Sequence, residues 1–85
     1  MKIIKKSGRI DEFSIEKLTL SIENSAKDIN IYLSQSDINL IIKDVMKILK
    51  KICKNNITST YEITGIVIQV LKDNKFYRIA ESYIF

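Results

Sequence analysis

Apolar residues recur at three- and four-residue steps along most of the chain, and two short stretches break that rhythm. Ile15, Leu18, Ile22, Ala26 and Ile29 set the first helical stripe, which should end near residue 28. Ile38, Ile41, Ile42, Val45, Leu49, Ile52 and Cys53 set a longer second one, with Lys43, Asp44, Lys47, Lys50, Lys51 and Lys54 mostly on its other side. Ile63, Ile66, Val67, Val70 and Leu71 mark a third helix, and Phe76, Ile79, Ala80, Tyr83 and Ile84 a fourth between Lys75 and Phe85. The first break is residues 2–13, where β-branched Ile3 and Ile4, a Ser7-Gly8 turn and a return strand over residues 9–13 predict a hairpin. The second is Ile57-Thr58, long enough only for a short third strand.

Local signals fix the boundaries. Ser14 is a suitable N-cap for the first helix, with Phe13 and Leu18 placed to staple the turn from either side. Ser34 or Ser36 caps the second, and Asn55-Asn56 stops it. Ser59 and Glu62 have capping-box spacing ahead of the third, which starts near Thr60, and Asp73-Asn74 ends it. The pattern is that of an α+β domain: a four-helix bundle capped by a small β-hairpin or three-stranded sheet, one domain over residues 1–85.

Composition narrows the chemistry. With 85 residues the chain buries only a little over ~60% of its unfolded surface, so ligand or partner binding can add noticeably to its stability. There is no histidine and one cysteine, Cys53, which removes a disulfide framework, a thiolate or imidazole zinc site and the commonest nucleophile–base pairs. No apolar run reaches membrane-spanning length and no leader pattern opens the sequence, so a cytoplasmic binding protein is expected rather than an enzyme. The net charge of +4 points mildly toward anionic partners. Lys5, Lys6, Arg9 and Lys17 concentrate that charge where a hairpin feeds a helix N-terminus, an arrangement suited to a polyphosphate.

These residues carry a resemblance. Ile3-Ile4-Lys5-Lys6-Ser7-Gly8-Arg9, then Asp11, Phe13 and Lys17-Leu18, resemble the opening signature of the ATP-cone domain. Ser21-Ile22 and Ala26 continue it, and Glu62-Ile63, Val67, Leu71 and Ala80 with Tyr83-Ile84 are similar to its closing pattern. The resemblance spans essentially the whole chain. It implies a regulatory domain that senses ATP or dATP, with Mg²⁺ on the phosphates, and that answers by changing oligomeric state or partner binding. Ribonucleotide reductases and a repressor of their genes carry such domains, so a homo-oligomer or a reductase-related partner is implied. Neither a reductase body nor a zinc ribbon accompanies this sequence, which implies a stand-alone cone or a fragment. Lys6 and Ser7 stand where the family usually has Arg and Asp, and Ser14 where Asp or Asn is common. The sequence stops at Phe85, before a Tyr-Arg pair frequent in the family, so no role for that pair is expected.

The resemblance implies Ile3 and Lys5 as contacts to base and phosphates, Lys17 as a phosphate ligand and Asp11 as a contact on the sugar or base side. Lys17 also stands in a first helical turn, where a cation opposes the macrodipole by a few tenths of a kcal/mol (roughly), a conflict that a bound anion relieves. On a regular strand Lys5 and Lys6 face opposite ways, so both reach one phosphate only across a bend; otherwise they dress a solvated strand. Arg9 is poised between folding over phosphates and dressing the hairpin. Asp11 alternatively pairs with Lys5 or Lys6 across the strands. Ser14 and Thr60 should cap their helices and add contacts to phosphate. Leu18 and Ile22 belong to the core, with a base floor as the other reading. Gly65, costly inside a helix by ~1 kcal/mol, implies close approach of a helix or ligand. Cys53 is expected as a buried thiol and the four tyrosines as bundle edges. Two rivals stand beside the nucleotide sensor: a small basic nucleic-acid-binding module, and a degenerate cone kept only as a protein-interaction surface.

Overall fold

The computed structural model describes residues 1–84. Seven elements follow in the order β1 (Lys2–Ile4), β2 (Ile10–Glu12), α1 (Ile15–Lys27), α2 (Gln35–Ile52), β3 (Ile57–Ser59), α3 (Thr60–Asp73) and α4 (Tyr77–Ile84). The α+β expectation holds, and the cap on the helices is the three-stranded sheet rather than a bare hairpin. Phe85, which the spacing assigned to the last helix, lies outside the described residues.

The sheet order is β2-β1-β3, so the first strand of the chain is its centre. β1 pairs antiparallel with β2, setting Ile3 opposite Asp11 and Lys2 opposite Glu12. It pairs parallel with β3, setting Ile3 beside Thr58. Both strands of the hairpin are shorter than the sequence pattern suggests. The chain leaves β1 after Ile4 and turns through Lys5-Lys6-Ser7-Gly8, closed by the Gly8 N–H on Lys5 O at 2.9 Å and the Lys5 N–H on Arg9 O at 2.8 Å. Gly8 sits at φ 90°, a conformation that a side chain would oppose.

The caps explain where the helices begin. Ser14 Oγ accepts the Lys17 N–H at 3.2 Å, and Ser34 Oγ accepts that of Asp37 at 3.1 Å in a full capping box. The expected box at α3 is only half made. Ser59 Oγ takes the Glu62 N–H at 3.1 Å, but the Glu62 carboxylate turns away to Thr58. Thr60 is therefore not a cap: Ser59 fills that position, and Thr60 is the first residue of the helix, its hydroxyl directed at Ile4 O from 3.4 Å.

Two helix ends close alike. Asn30 at φ 62° lets the Ile31 N–H reach back to Ala26 O at 2.9 Å, and Lys75 at φ 67° lets the Phe76 N–H reach Leu71 O at 2.8 Å. Asparagine tolerates that left-handed conformation; lysine carries its steric cost. The core gathers the four stripes: Ile22, Ile41, Val45, Leu49, Val67, Leu71, Ile79 and Ala80 are essentially sealed from solvent. Ile3 reaches this core from the central strand, and half-buried Phe13 packs against it. Gly65 is a correction. A Cβ built there meets nothing within 4 Å, so close packing does not account for it.

Candidate functional site

One cavity opens where the sheet, the start of α1 and the start of α3 meet. Its volume is about 200 Å³, and Ile3, Phe13, Leu18 and Ile63 supply its apolar lining. Ile3 arrives on the core-facing side of β1, and Lys5, two residues on, follows it to the cavity. Ser14 and Lys17 come from the first turn of α1, and Thr60 from that of α3. Lys17 thus stands beside its own helix N-terminus with its backbone N–H already taken by Ser14, which leaves the ammonium as the group that can turn to a ligand.

Six of the residues singled out from sequence, Ile3, Lys5, Ser14, Lys17, Leu18 and Thr60, line this one cavity. Lys6, Arg9 and Asp11 do not line it. Lys6, in the turn, has its Nζ 5.9 Å from the centre of the Tyr61 ring. Arg9 grips Asp11 through Nε at 3.1 Å and Nη2 at 2.9 Å. The acidic partner expected to bridge to Lys5 or Lys6 is thus held along its own strand, two residues away. Ile22 is fully buried and belongs to the core alone.

The lining includes residues that the sequence did not single out as ligands: Glu12, Ser21, Ile63, Thr64 and Tyr83. Glu12 is paired with Lys2, its cross-strand neighbour, and the hydrogen bond from that ammonium holds the carboxyl below its usual range. Tyr83 Oη lies 3.0 Å from Ser21 Oγ, joining α4 to α1. Tyr32, Tyr61 and Tyr77 stay exposed as expected, but Tyr83 is turned inward. Its place on the apolar stripe with Ile79 and Ala80 points it to the core, but that spacing says nothing of its contact with Ser21. The spacing of Ser21 three residues after Leu18 was the one available hint, since that is the reach of a hydroxyl to a helix carbonyl.

Beside the cavity, Thr58 is the one buried polar residue among the described residues, 3% exposed. Its hydroxyl donates to Glu62 Oε1 at 2.7 Å, and the Cys53 thiol donates to the same oxygen at 3.2 Å. The Thr58 hydroxyl, then the thiol, hold the Glu62 carboxyl below its usual range, while burial and the Glu62 hydrogen bond push the Cys53 thiol up. Cys53 is half-buried at the C-cap of α2 rather than sealed in an apolar stripe, which corrects the sequence expectation. Lys43, Lys47, Lys50 and Lys51 of α2, and Lys54 just past its C-cap, are solvated.

Among the described residues no group of three acidic, cysteine or histidine side chains is placed to hold a metal. No helix among the described residues is long and apolar enough to cross a membrane.

A comparison with curated proteins found no match. The model of the ATP cone domain family matches residues 1–85. ATP-cone domains are nucleotide-sensing regulatory domains rather than catalytic ones, and they bind ATP or dATP as an allosteric effector. With its sheet-capped helices and a match over its whole length, the chain belongs to the ATP-cone domain family.

Proposed function

We propose that the cavity binds ATP or dATP, and that occupancy is answered by a change in oligomeric state or in the binding of a partner, a second copy or a reductase-related protein, in the cytoplasm. The observation that carries this reading is the convergence of Lys5 and Lys17 on one apolar-lined cavity. At about 200 Å³ it is smaller than the roughly 300–1,000 Å³ pockets that enclose a drug-sized ligand. Ile3, Leu18, Phe13 and Ile63 therefore take the base, and the triphosphate lies across the rim, where the two ammonium groups meet it.

Magnesium fits this arrangement only as a passenger of the nucleotide. Glu12 and Asp11, the nearby carboxylates, are committed to Lys2 and Arg9. Phosphate oxygens and water supply the octahedral oxygen ligands that Mg²⁺ demands, as they do where it is not caged by protein. Lys6 and Arg9 stand outside the cavity and join the site only if the hairpin turn rearranges around the phosphates.

Calorimetry with ATP, dATP and GTP, on the native chain and on Lys17→Ala, tests the reading. Heat is expected with ATP or dATP, weakened about tenfold or more by Lys17→Ala, since a hydrogen bond to a charged group contributes roughly 1.5–3 kcal/mol. No heat with any nucleotide at millimolar concentration refutes nucleotide binding. Unaltered affinity in Lys17→Ala refutes the site. Sedimentation with and without nucleotide reads the response.

A further inference from the structure

The hydroxyl groups around the cavity share a property that becomes visible when their protons are placed one by one. Each neutral hydroxyl has a single proton to donate, and a carbonyl oxygen can only accept. Ser21 Oγ lies 2.7 Å from Leu18 O, so its proton is in that bond. The contact of 3.0 Å between Ser21 Oγ and Tyr83 Oη must then use the phenol's proton, with Tyr83 donating and Ser21 accepting. Thr64 spends its proton on Thr60 O at 2.8 Å. Ser14 accepts the Lys17 N–H and gives its proton to the Glu16 carboxylate at 3.1 Å. Thr60 directs its own at Ile4 O. All five hydroxyl residues that line the cavity thus donate to the protein itself, and what they offer a ligand is lone pairs.

We infer that Tyr83, fixed as an acceptor by Ser21 and seconded by Thr64, is the specificity-determining group of the cavity, and that it selects a base with an exocyclic amino donor. The inference rests on the nucleotide reading above and adds to it the atom that reads the base. Ser21, Thr64 and Tyr83 are half-buried beside Leu18 and Ile63, the apolar residues that take the base, whereas the two lysines are the donors available to phosphates. The cavity therefore has two chemical ends: a lone-pair wall that wants N–H, and an ammonium rim that wants anionic oxygen. A base with an amino group at position 6 satisfies the wall. A base with a carbonyl there sets oxygen against oxygen unless the phenol takes its proton away from Ser21, so it is discriminated against either by repulsion or by the loss of that bond.

The test compares ATP with two analogues on the native chain: inosine triphosphate, which has a carbonyl at position 6, and purine riboside triphosphate, which has hydrogen there. ATP is expected to bind about tenfold more tightly than purine riboside triphosphate, the worth of one ordinary hydrogen bond in a half-buried site. Inosine triphosphate should bind no better than the purine. Tyr83→Phe keeps the ring and removes the acceptor, so ATP should fall to the level of the purine while the purine is unchanged. Ser21→Ala acts the other way. It deprives the phenol of its acceptor and frees its proton to turn into the cavity, so inosine triphosphate should gain on ATP. A merely structural role for Ser21 would weaken all three ligands alike. Equal binding of ATP and purine riboside triphosphate by the native chain overturns the inference while leaving nucleotide binding intact. An ATP preference that survives in Tyr83→Phe overturns the assignment to Tyr83. Binding of none of the three refutes the nucleotide reading itself.

Discussion

Gly65 lies in the interior of α3 and is solvent-exposed, and alanine there should make the domain more stable. The magnitude follows from what the substitution does and does not change. In a helix interior, glycine is about 0.8–1.0 kcal/mol less favourable than alanine, because its backbone loses more freedom on folding. The offsetting term would be a clash, and the added Cβ has no neighbour within 4 Å. The same empty space means no apolar burial is gained. The net expectation is therefore a gain of about 1 kcal/mol, which for a domain of this size raises Tm by about 4–8 °C. Urea unfolding followed by far-ultraviolet circular dichroism measures it, with the slope m unchanged because the surface exposed on unfolding is the same. Nucleotide affinity should not move, since Gly65 does not line the cavity. Unchanged or reduced stability would refute the argument, and would mean that the helix or its surroundings at Gly65 differ from those described.

Lys75→Gly should also stabilise. Its left-handed φ of 67° costs an L-residue about 1–2 kcal/mol, of which glycine returns roughly half through its freer unfolded state, and a thermal midpoint no higher than that of the native chain would refute this. Glu62 supplies a pH dependence. Its carboxyl is held below the unfolded value by Thr58 and Cys53, so its contribution is present above the ordinary carboxylate range and lost as pH falls through the folded value. Acidification should cost the native chain more stability than Glu62→Gln; urea midpoints that fall in parallel for the two proteins would contradict it.

Much of the fold was legible because its signals are local. The stripes around Ile22, Val45, Val67 and Ala80 place four helices without any knowledge of what they touch. Gly8 and Ser14 announce the hairpin turn and the start of α1 through their own backbone preferences. Lys5 and Lys6 part as alternation predicted, although both stand in the turn beyond the end of β1 rather than on a regular strand. What sequence could not show depends on partners far along the chain. β3 was legible as a short strand at Ile57-Thr58, but its parallel pairing with β1, more than fifty residues earlier, was not. Ser59 is the cap that its spacing from Glu62 announced, and Thr60, also expected to cap, is the first residue of the helix instead. Tyr83 and Ser21 are 62 positions apart, and no periodicity in either helix reveals that they meet. The Glu62 carboxylate fits a capping box equally well on paper, and departs from it because Thr58 is buried with a proton to give.

The central position of β1 has a consequence for the order of events in folding. Its pairing with β2 closes within the first dozen residues, but its other edge stays open until β3 arrives after two whole helices. The cavity waits longer still, since its lining runs from Ile3 to Tyr83. A nascent or partly opened chain therefore lacks the complete cavity, and under the proposed function a nucleotide would not hold a fragment together. Ligand draws on the complete fold alone, so its binding energy should appear in full as slower hydrogen exchange at the most protected core amides, where only global opening permits exchange.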